Sequence, residues 1–261
     1  MSGAEFVHTV RKPWLGAALL ALCACSTAPS SGDSTVAQPT PAVRTSTTAG
    51  RAQAIAARVQ ALASRAQQEE PKVTPVLISL AEKAGGEMIK LKYRLKTQAS
   101  ATRKLNKYLL KHPGKEASQV DLQDMLRYTM RIDDRPQGNY VKSVHLILET
   151  LEAQGHSVEL VKNCWPRGDS YSGVNTVLRA PSGLAWELQF HTSDSLRVQA
   201  ETRKMYEELR KVNTPLPRKR VLFKQMAAAW DTVPVPFEVL EEKNLHAQER
   251  ARRYNPPGGD L

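Results

Sequence analysis

The sequence predicts an α+β fold with a mixed five-stranded β-sheet flanked by helices. Three observations point there. Stretches of strictly alternating apolar residues stand among stretches whose apolar residues recur three or four apart. Their order is helix, strand, helix, strand, helix, three strands, then helices, which is not a regular βα repeat. The composition is globular: of 261 residues 41% are hydrophobic and 24% charged, which excludes wholesale disorder and coiled-coil rods.

Residues 1–24 read as an address. Arg11 and Lys12 precede a short apolar stretch, too short for a mature membrane span. It exits through Leu22-Cys23-Ala24-Cys25, which resembles a bacterial lipobox and makes Cys25 the candidate lipidation site and membrane anchor. Ser26 follows, so an outer-membrane or periplasmic lipoprotein is expected, with onward secretion as an effector as the alternative. The chain has three cysteines, which excludes a disulfide scaffold. Residues 25–50, rich in Ser, Thr, Ala and Pro, read as a tether that cannot bury a core. Residues 51–236 are the expected domain and 237–261 a polar tail.

Within the domain, Ile55, Val59 and Leu62 mark a helix over 51–70. Pro71 and Pro75 predict a break before a second helix at 76–84, which Gly85-Gly86 ends. Ile89, Leu91, Tyr93 and Leu95 alternate with Lys90, Lys92, Arg94 and Lys96, predicting a strand with one wholly cationic face. A helix is expected over 97–112, a second basic-faced strand over 126–132 and an amphipathic helix over 139–154. Strands at 158–161, 174–179 and 184–190 follow, the last two joined across Pro181-Ser182-Gly183 as a hairpin. Helices at 193–211 and 218–230 complete the domain.

Lys+Arg number 37 against 26 Asp+Glu, a formal charge of +11, so an anionic partner such as nucleotide or RNA is expected. The cations are concentrated from Lys90 to Lys111, a stretch without an acid. In the spacing Arg94-x-Lys96-x-x-x-Ser100-x-x-x-Lys104, cations leave a strand end and a hydroxyl and a lysine sit on the next helix. That arrangement suits a triphosphate. Asp121 and Asp124 precede the second strand, and Glu187 shares the polar face of the last strand with Gln189 and His191. Acids on two strands of one sheet can hold Mg²⁺ while the metal keeps water and phosphate ligands. A carboxylate there can also act as a base toward a hydroxyl. Tyr171, in a Gly-containing loop with Lys162, Arg167 and Asp169 upstream, is placed to stack on a base.

Taken in order, these motifs resemble the RelA/SpoT synthetase domain, the pyrophosphokinase that makes (p)ppGpp. Arg94-Leu-Lys96, Ser100 and Lys104 look like the family's R-x-K-x-x-x-S-x-x-x-K ATP signature. Asp124 is similar to its Mg²⁺ aspartate, with Asp121 as the alternative. Tyr171-Ser-Gly173-Val-Asn175 resembles the G-Y-x-[SG]-[LV]-H segment whose Tyr stacks on the acceptor guanine. Glu187-Leu-Gln189-Phe-His191-Thr192 resembles the E-x-Q-x-R-T strand, whose Glu is catalytic. His191 stands where the family has Arg, Asn175 where it has His, and Arg167 where a Lys is usual. The resemblance implies a nucleotidyltransferase-like fold and transfer of pyrophosphate from ATP to the 3′-hydroxyl of an acceptor, with Mg²⁺ as cofactor. Glu187 and Asp124 would be catalytic and metal-binding. Arg94, Lys96, Ser100 and Lys104 would hold ATP. Tyr171, Arg167, Asn175, Gln189 and His191 would hold GTP, GDP, an adenine nucleotide or RNA. The competing expectation is a non-catalytic nucleotide- or RNA-binding envelope lipoprotein on the same fold.

Overall fold

The computed structural model describes residues 48–165, 170–211 and 213–241. The expected signal and lipidation site, nearly all of the tether, Arg167 and the tail beyond residue 241 lie outside them. Among the described residues no helix is long and apolar enough to cross a membrane.

The chain opens with one helix, α1 (Thr48–Lys83), and not the two expected. Pro71 and Pro75 lie inside it. Both are on its exposed side, where water can satisfy the carbonyls their missing N–H groups leave unbonded. The opposite stripe, from Ile55, Val59, Leu62 and Ala66 through Val73 and Leu77 to Leu80, is buried throughout. Packing of that continuous stripe outweighs the two local interruptions. The helix ends as the glycines require: Gly85 takes φ 66°, and the Gly86 N–H bonds the Ala81 carbonyl at 2.8 Å.

The expected cationic strand is only partly a strand. β1 (Glu87–Ile89) stops where Lys90 turns left-handed at φ 56°, and a 3₁₀ turn over Leu91–Tyr93 follows. Leu95 then makes one antiparallel bridge to Leu126. The alternation is real, but a left-handed residue and a tight turn split it. Lys90, Lys92, Arg94 and Lys96 therefore do not form one strand face.

The rest follows the expected order: α2 (Gln98–Lys111), β2 (Arg127–Arg131), α3 (Asn139–Ala153), β3 (Ser157–Asn163), β4 (Val174–Arg179), β5 (Ala185–His191), α4 (Ser193–Leu209) and α5 (Leu216–Trp230). The five-stranded sheet has the order β1-β2-β5-β4-β3. Only β2 and β5 are parallel, so the sheet is mixed as expected.

On β5 the apolar residues Trp186, Leu188 and Phe190 have no exposed surface. Each large side chain buried in this way contributes about 1.5–3 kcal/mol. Their face meets α1 and α3: Thr74 hydrogen-bonds Tyr128 at 2.7 Å, and the α3 residue Tyr140 donates to the Phe190 carbonyl at 2.9 Å. The chain stays packed as far as Val239, which is fully buried and whose carbonyl accepts from the Asn163 amide at 2.6 Å. The other face of β5, with Glu187, Gln189 and His191, looks toward α4 and α5 and carries the candidate site.

Candidate functional site

The parallel pairing of β2 with β5 sets Arg127 opposite Glu187 and Thr129 opposite Gln189. Backbone bonds stitch the neighbouring motif onto the same sheet end. The Arg127 N–H donates to the Arg94 carbonyl at 2.8 Å, Lys96 N–H to Met125 at 2.9 Å, and Glu187 N–H to Leu126 at 3.0 Å. Residues distant in sequence therefore converge at one end of the sheet.

At the centre is a carboxylate between two ammonium groups. Lys96 Nζ lies 2.8 Å from Asp124 Oδ2, and Lys104 Nζ lies 2.8 Å from Oδ1. The Lys96 side chain is 6% exposed and that of Lys104 50%. Burial acts to raise the Asp124 carboxyl, but Lys104 and Lys96 outweigh it and hold it below its ordinary range. Glu187 goes the other way. Burial is the largest cause of its upward shift, opposed by a Gln189 hydrogen bond and reinforced by the Asp124 charge. Lys104 and Arg127 also act on it, both downward. Two carboxylates with opposite shifts, within each other's field, thus sit at one sheet end. Asp121 is elsewhere: it faces Arg179 at 3.5 Å. Asp124 is the residue brought to Glu187.

Arg94 is held by α1. Its Nε donates to Glu70 Oε1 at 2.5 Å, and its Nη1 donates to the Leu91 carbonyl at 2.9 Å. The Thr74 hydroxyl donates to Glu70 at 2.6 Å; this bond, followed by the Arg94 bond, keeps Glu70 below the usual carboxylate range. Ser100 sits in the first turn of α2, its N–H bonded to the capping Thr97 hydroxyl at 3.3 Å.

Beside this cluster lies a cleft of two chambers. The smaller, about 240 Å³, includes Tyr93, Arg94, Tyr128 and Thr129 in its wall. The larger, about 990 Å³, includes Lys162, Tyr171, Asn175, Tyr206, Arg210 and Trp230. Lys90, Arg127, Gln189, Gln199 and Arg203 line both. The Lys90 ammonium donates to Gln199 Oε1 at 2.6 Å across the waist. Lys96, Ser100, Lys104, Asp124 and Glu187 are not in the walls of these two chambers; they meet them through Arg94, Arg127 and Gln189.

The expected acceptor residues divide. Asn175 and Gln189 face each other across β4 and β5 and line the larger chamber. Gln189 Nε2 donates to Glu187. Tyr171 lines the chamber, but its hydroxyl is already engaged, donating to Asn175 Oδ1 at 2.7 Å and lying 2.9 Å from His191 Nε2. Its ring packs 5.5 Å from that of Trp230, leaving no room for a base between them. Burial raises the Tyr171 phenol well above its ordinary range.

His191 corrects the sequence expectation. It has no exposed surface, so it cannot touch an acceptor as placed. Its Nδ1 lies 2.9 Å from the Ser195 hydroxyl. A Cβ on Gly173 would approach the His191 ring to 3.0 Å, so the glycine makes room for it. Burial, with a smaller contribution from Lys90, pushes the imidazole down to about 3 and keeps it neutral. Alternation put His191 on the right strand face; Tyr171 and the start of α4 then cover that end of it.

Sequence reading missed Arg127, Arg203 and Trp230. For Arg127 a signal exists in the alternating basic face of β2. Arg203 and Trp230 become site residues only because α4 and α5 pack against the sheet. The Trp230 Nε1 is buried with no hydrogen-bond partner among the described residues.

Among the described residues no group of three or more His, Cys, Asp and Glu side chains could form a metal cage. Asp124 and Glu187 are the carboxylates at this sheet end to which a hard divalent ion such as Mg²⁺ could bind, and such an ion would compete with Lys96 and Lys104 for the two Asp124 oxygens.

Fold and site together define an α+β domain with a cationic, two-chambered cleft beside a carboxylate pair. No protein-family model matches the chain, and no curated protein matches it. Similar solved structures include the Type VI effector Tas1 in complex with its immunity protein, at 19% identity over 66% of this chain and 94% of that one, with a TM-score of 0.45. Small alarmone synthetase 2 from Bacillus subtilis is similar at 12% identity over 67% and 89%, with a TM-score of 0.44. Small alarmone synthetase 1 from the same organism, bound to its product pppGpp, is similar at 19% over 64% and 87%, with a TM-score of 0.39.

Proposed function

We propose that the chain is a pyrophosphokinase that transfers the β,γ-pyrophosphoryl group of ATP to the 3′-hydroxyl of a nucleotide acceptor. The observation that carries this reading is the Lys96–Asp124–Lys104 cluster set within the field of Glu187, with Arg94 and Arg127 joining it to the cleft. In this reading Arg94, Lys96, Ser100 and Lys104 bind the ATP phosphates. Asp124 and Glu187 hold Mg²⁺, which supplies charge neutralisation on the transferred group when bound. The 3′-oxygen forms its new bond to the β-phosphorus, the bond from that phosphorus to the α,β-bridging oxygen breaks, and AMP leaves. Glu187 accepts the hydroxyl proton. Burial shifts its pKa upward, which makes it a stronger base than an ordinary glutamate. The larger chamber, with Asn175 and Gln189 in its wall, receives the acceptor. Phosphoryl transfer asks mainly for positioning and charge stabilisation, and the cluster is built for both.

One observation favours a second reading, a nucleotide- or RNA-binding protein without turnover. Arg94, Lys96 and Lys104 are each engaged by Glu70 or Asp124, so a phosphate must compete for them. The test is incubation of the chain with labelled ATP, Mg²⁺ and GTP, GDP, ATP, ADP or RNA, with products identified by mass spectrometry. An acceptor heavier by one pyrophosphoryl group, with AMP released, supports the enzyme. Nucleotide binding without either product supports the second reading.

We also propose that the chain is exported and lipidated at Cys25, on the strength of Leu22-Cys23-Ala24-Cys25 and the tether after it. Cys25→Ser should remain unprocessed or leave the membrane fraction. A wild-type protein found in the cytosol with Met1 retained would sink this proposal.

A further inference from the structure

The outer face of α2 is cationic along its length. Ala101, Leu105 and Leu109 are buried against the core. Two residues further on, about 200° around the helix, Arg103, Lys107 and Lys111 stack on the opposite, exposed side. Leu110, 64% exposed, lies among them. Among the described residues none of these three cations is in an ion pair, whereas Lys104, on the flank of the same helix, is held by Asp124. No acid occurs between Lys90 and Lys111, and the next one, Glu116, lies beyond the turn at Gly114.

α1 borders this face. The two helices run antiparallel: Gln98 Nε2 donates to Gln60 Oε1 at 2.8 Å, and Arg51 Nη2 donates to Asn106 Oδ1 at 3.5 Å. From Thr48 to Gln68 α1 carries no acid either. The Arg51 contact sets the first turns of α1 beside the middle of α2, so the chain enters the domain at the edge of the cationic face.

We propose that the outer face of α2, with Arg51 at its edge, docks on an anionic phospholipid bilayer. The choice of a bilayer rests on the proposed anchor at Cys25. Residues 26–47 reach at most about 80 Å when fully extended and join the domain at Thr48, beside this face. A bilayer that holds Cys25 is therefore tethered to the cationic side of the domain. Its anionic headgroups supply the counter-charge that Arg103, Lys107 and Lys111 lack within the fold, and each such cation strengthens binding about fivefold. Leu110 projects where an apolar side chain can enter the headgroup boundary. A nucleic-acid backbone supplies the same charge but offers Leu110 no apolar partner.

Co-sedimentation of the full chain with vesicles tests this. One set is phosphatidylcholine alone, and the other is phosphatidylcholine with an equal part of phosphatidylglycerol. Wild type is compared with Arg103→Glu/Lys107→Glu and with Lys211→Glu/Lys224→Glu, which makes the same change in net charge at exposed lysines away from α2. The N-terminal segment is common to all three proteins, and a urea midpoint checks that each is folded. The expected result is tighter binding to the phosphatidylglycerol vesicles, weakened at least about twentyfold in the α2 variant and little in the other. Raised salt should abolish the preference. Equal wild-type binding to both vesicles, or equal losses in the two variants, would overturn the proposal. Binding of an RNA oligonucleotide that depends on Arg103 and Lys107, without a preference for phosphatidylglycerol, would assign the face to nucleic acid and overturn it too. If the protein is unlipidated but its phosphatidylglycerol binding still needs Arg103 and Lys107, the docking face stands and the anchor falls. If it is lipidated and shows no such preference, the anchor stands and the docking face falls.

Discussion

Acidification should destabilise this domain through His191. The imidazole is fully buried between the Tyr171 hydroxyl and Ser195 and is held at about 3. In the unfolded chain it titrates near 6.5. A histidine whose folded pKa lies below its unfolded value gains its proton first in the unfolded state. The associated stability is therefore full above about 6.5 and lost as pH falls toward about 3. Between pH 7 and pH 5 the loss from this one residue is about 2 kcal/mol. Urea denaturation at pH 7, 6 and 5 on wild type and His191→Gln reads it. His156 is shifted in the same direction by burial, so the informative quantity is the difference between the two proteins. The variant should start less stable and lose about 2 kcal/mol less over that interval. Equal pH slopes in the two would refute a buried neutral imidazole at this position.

Other outcomes follow from the charge cluster. Asp124→Asn strands Lys96, whose side chain is only 6% exposed, and should cost about 3–5 kcal/mol in a urea titration. Adding Lys96→Met to it should recover part of that loss. Lys104→Ala, at a half-exposed lysine, should weaken ATP binding by about 1.5–3 kcal/mol while changing the urea midpoint little. Unchanged ATP affinity in that variant would reduce the α2 cations to a solvated surface.

Much of this was legible in the residues themselves. α3 and β4 fall where their apolar periods place them, and Glu187 and Gln189 lie opposite the buried Trp186 and Leu188 as period-two alternation requires. Two elements were not legible, for local reasons. Pro71 and Pro75 are strong breakers in isolation, and only the position of the buried stripe reveals that both face water. The alternation from Ile89 to Lys96 carries no mark of the left-handed turn at Lys90. The site was half legible. Asp124 and Glu187 carry motif spacing. The register that sets Arg127 against Glu187 joins strands far apart in the chain, and the sequence of neither strand encodes it. His191 shows the limit of alternation: it identifies a strand face but cannot say which end of that face another loop covers.

The central claim is that Glu187 and Asp124 form a catalytic pair and not merely a polar edge. Glu187→Gln keeps the shape and the contact with Gln189 while removing the charge and the proton acceptor. The decisive measurement is the single-turnover rate of pyrophosphate transfer from ATP with Mg²⁺, in wild type and Glu187→Gln, using an acceptor on which wild type is active. The account predicts a fall of about 10²-fold or more, with nucleotide affinity in the absence of metal unchanged. A variant that transfers pyrophosphate as fast as wild type, or a wild type that transfers none to any nucleotide or RNA acceptor, would contradict it.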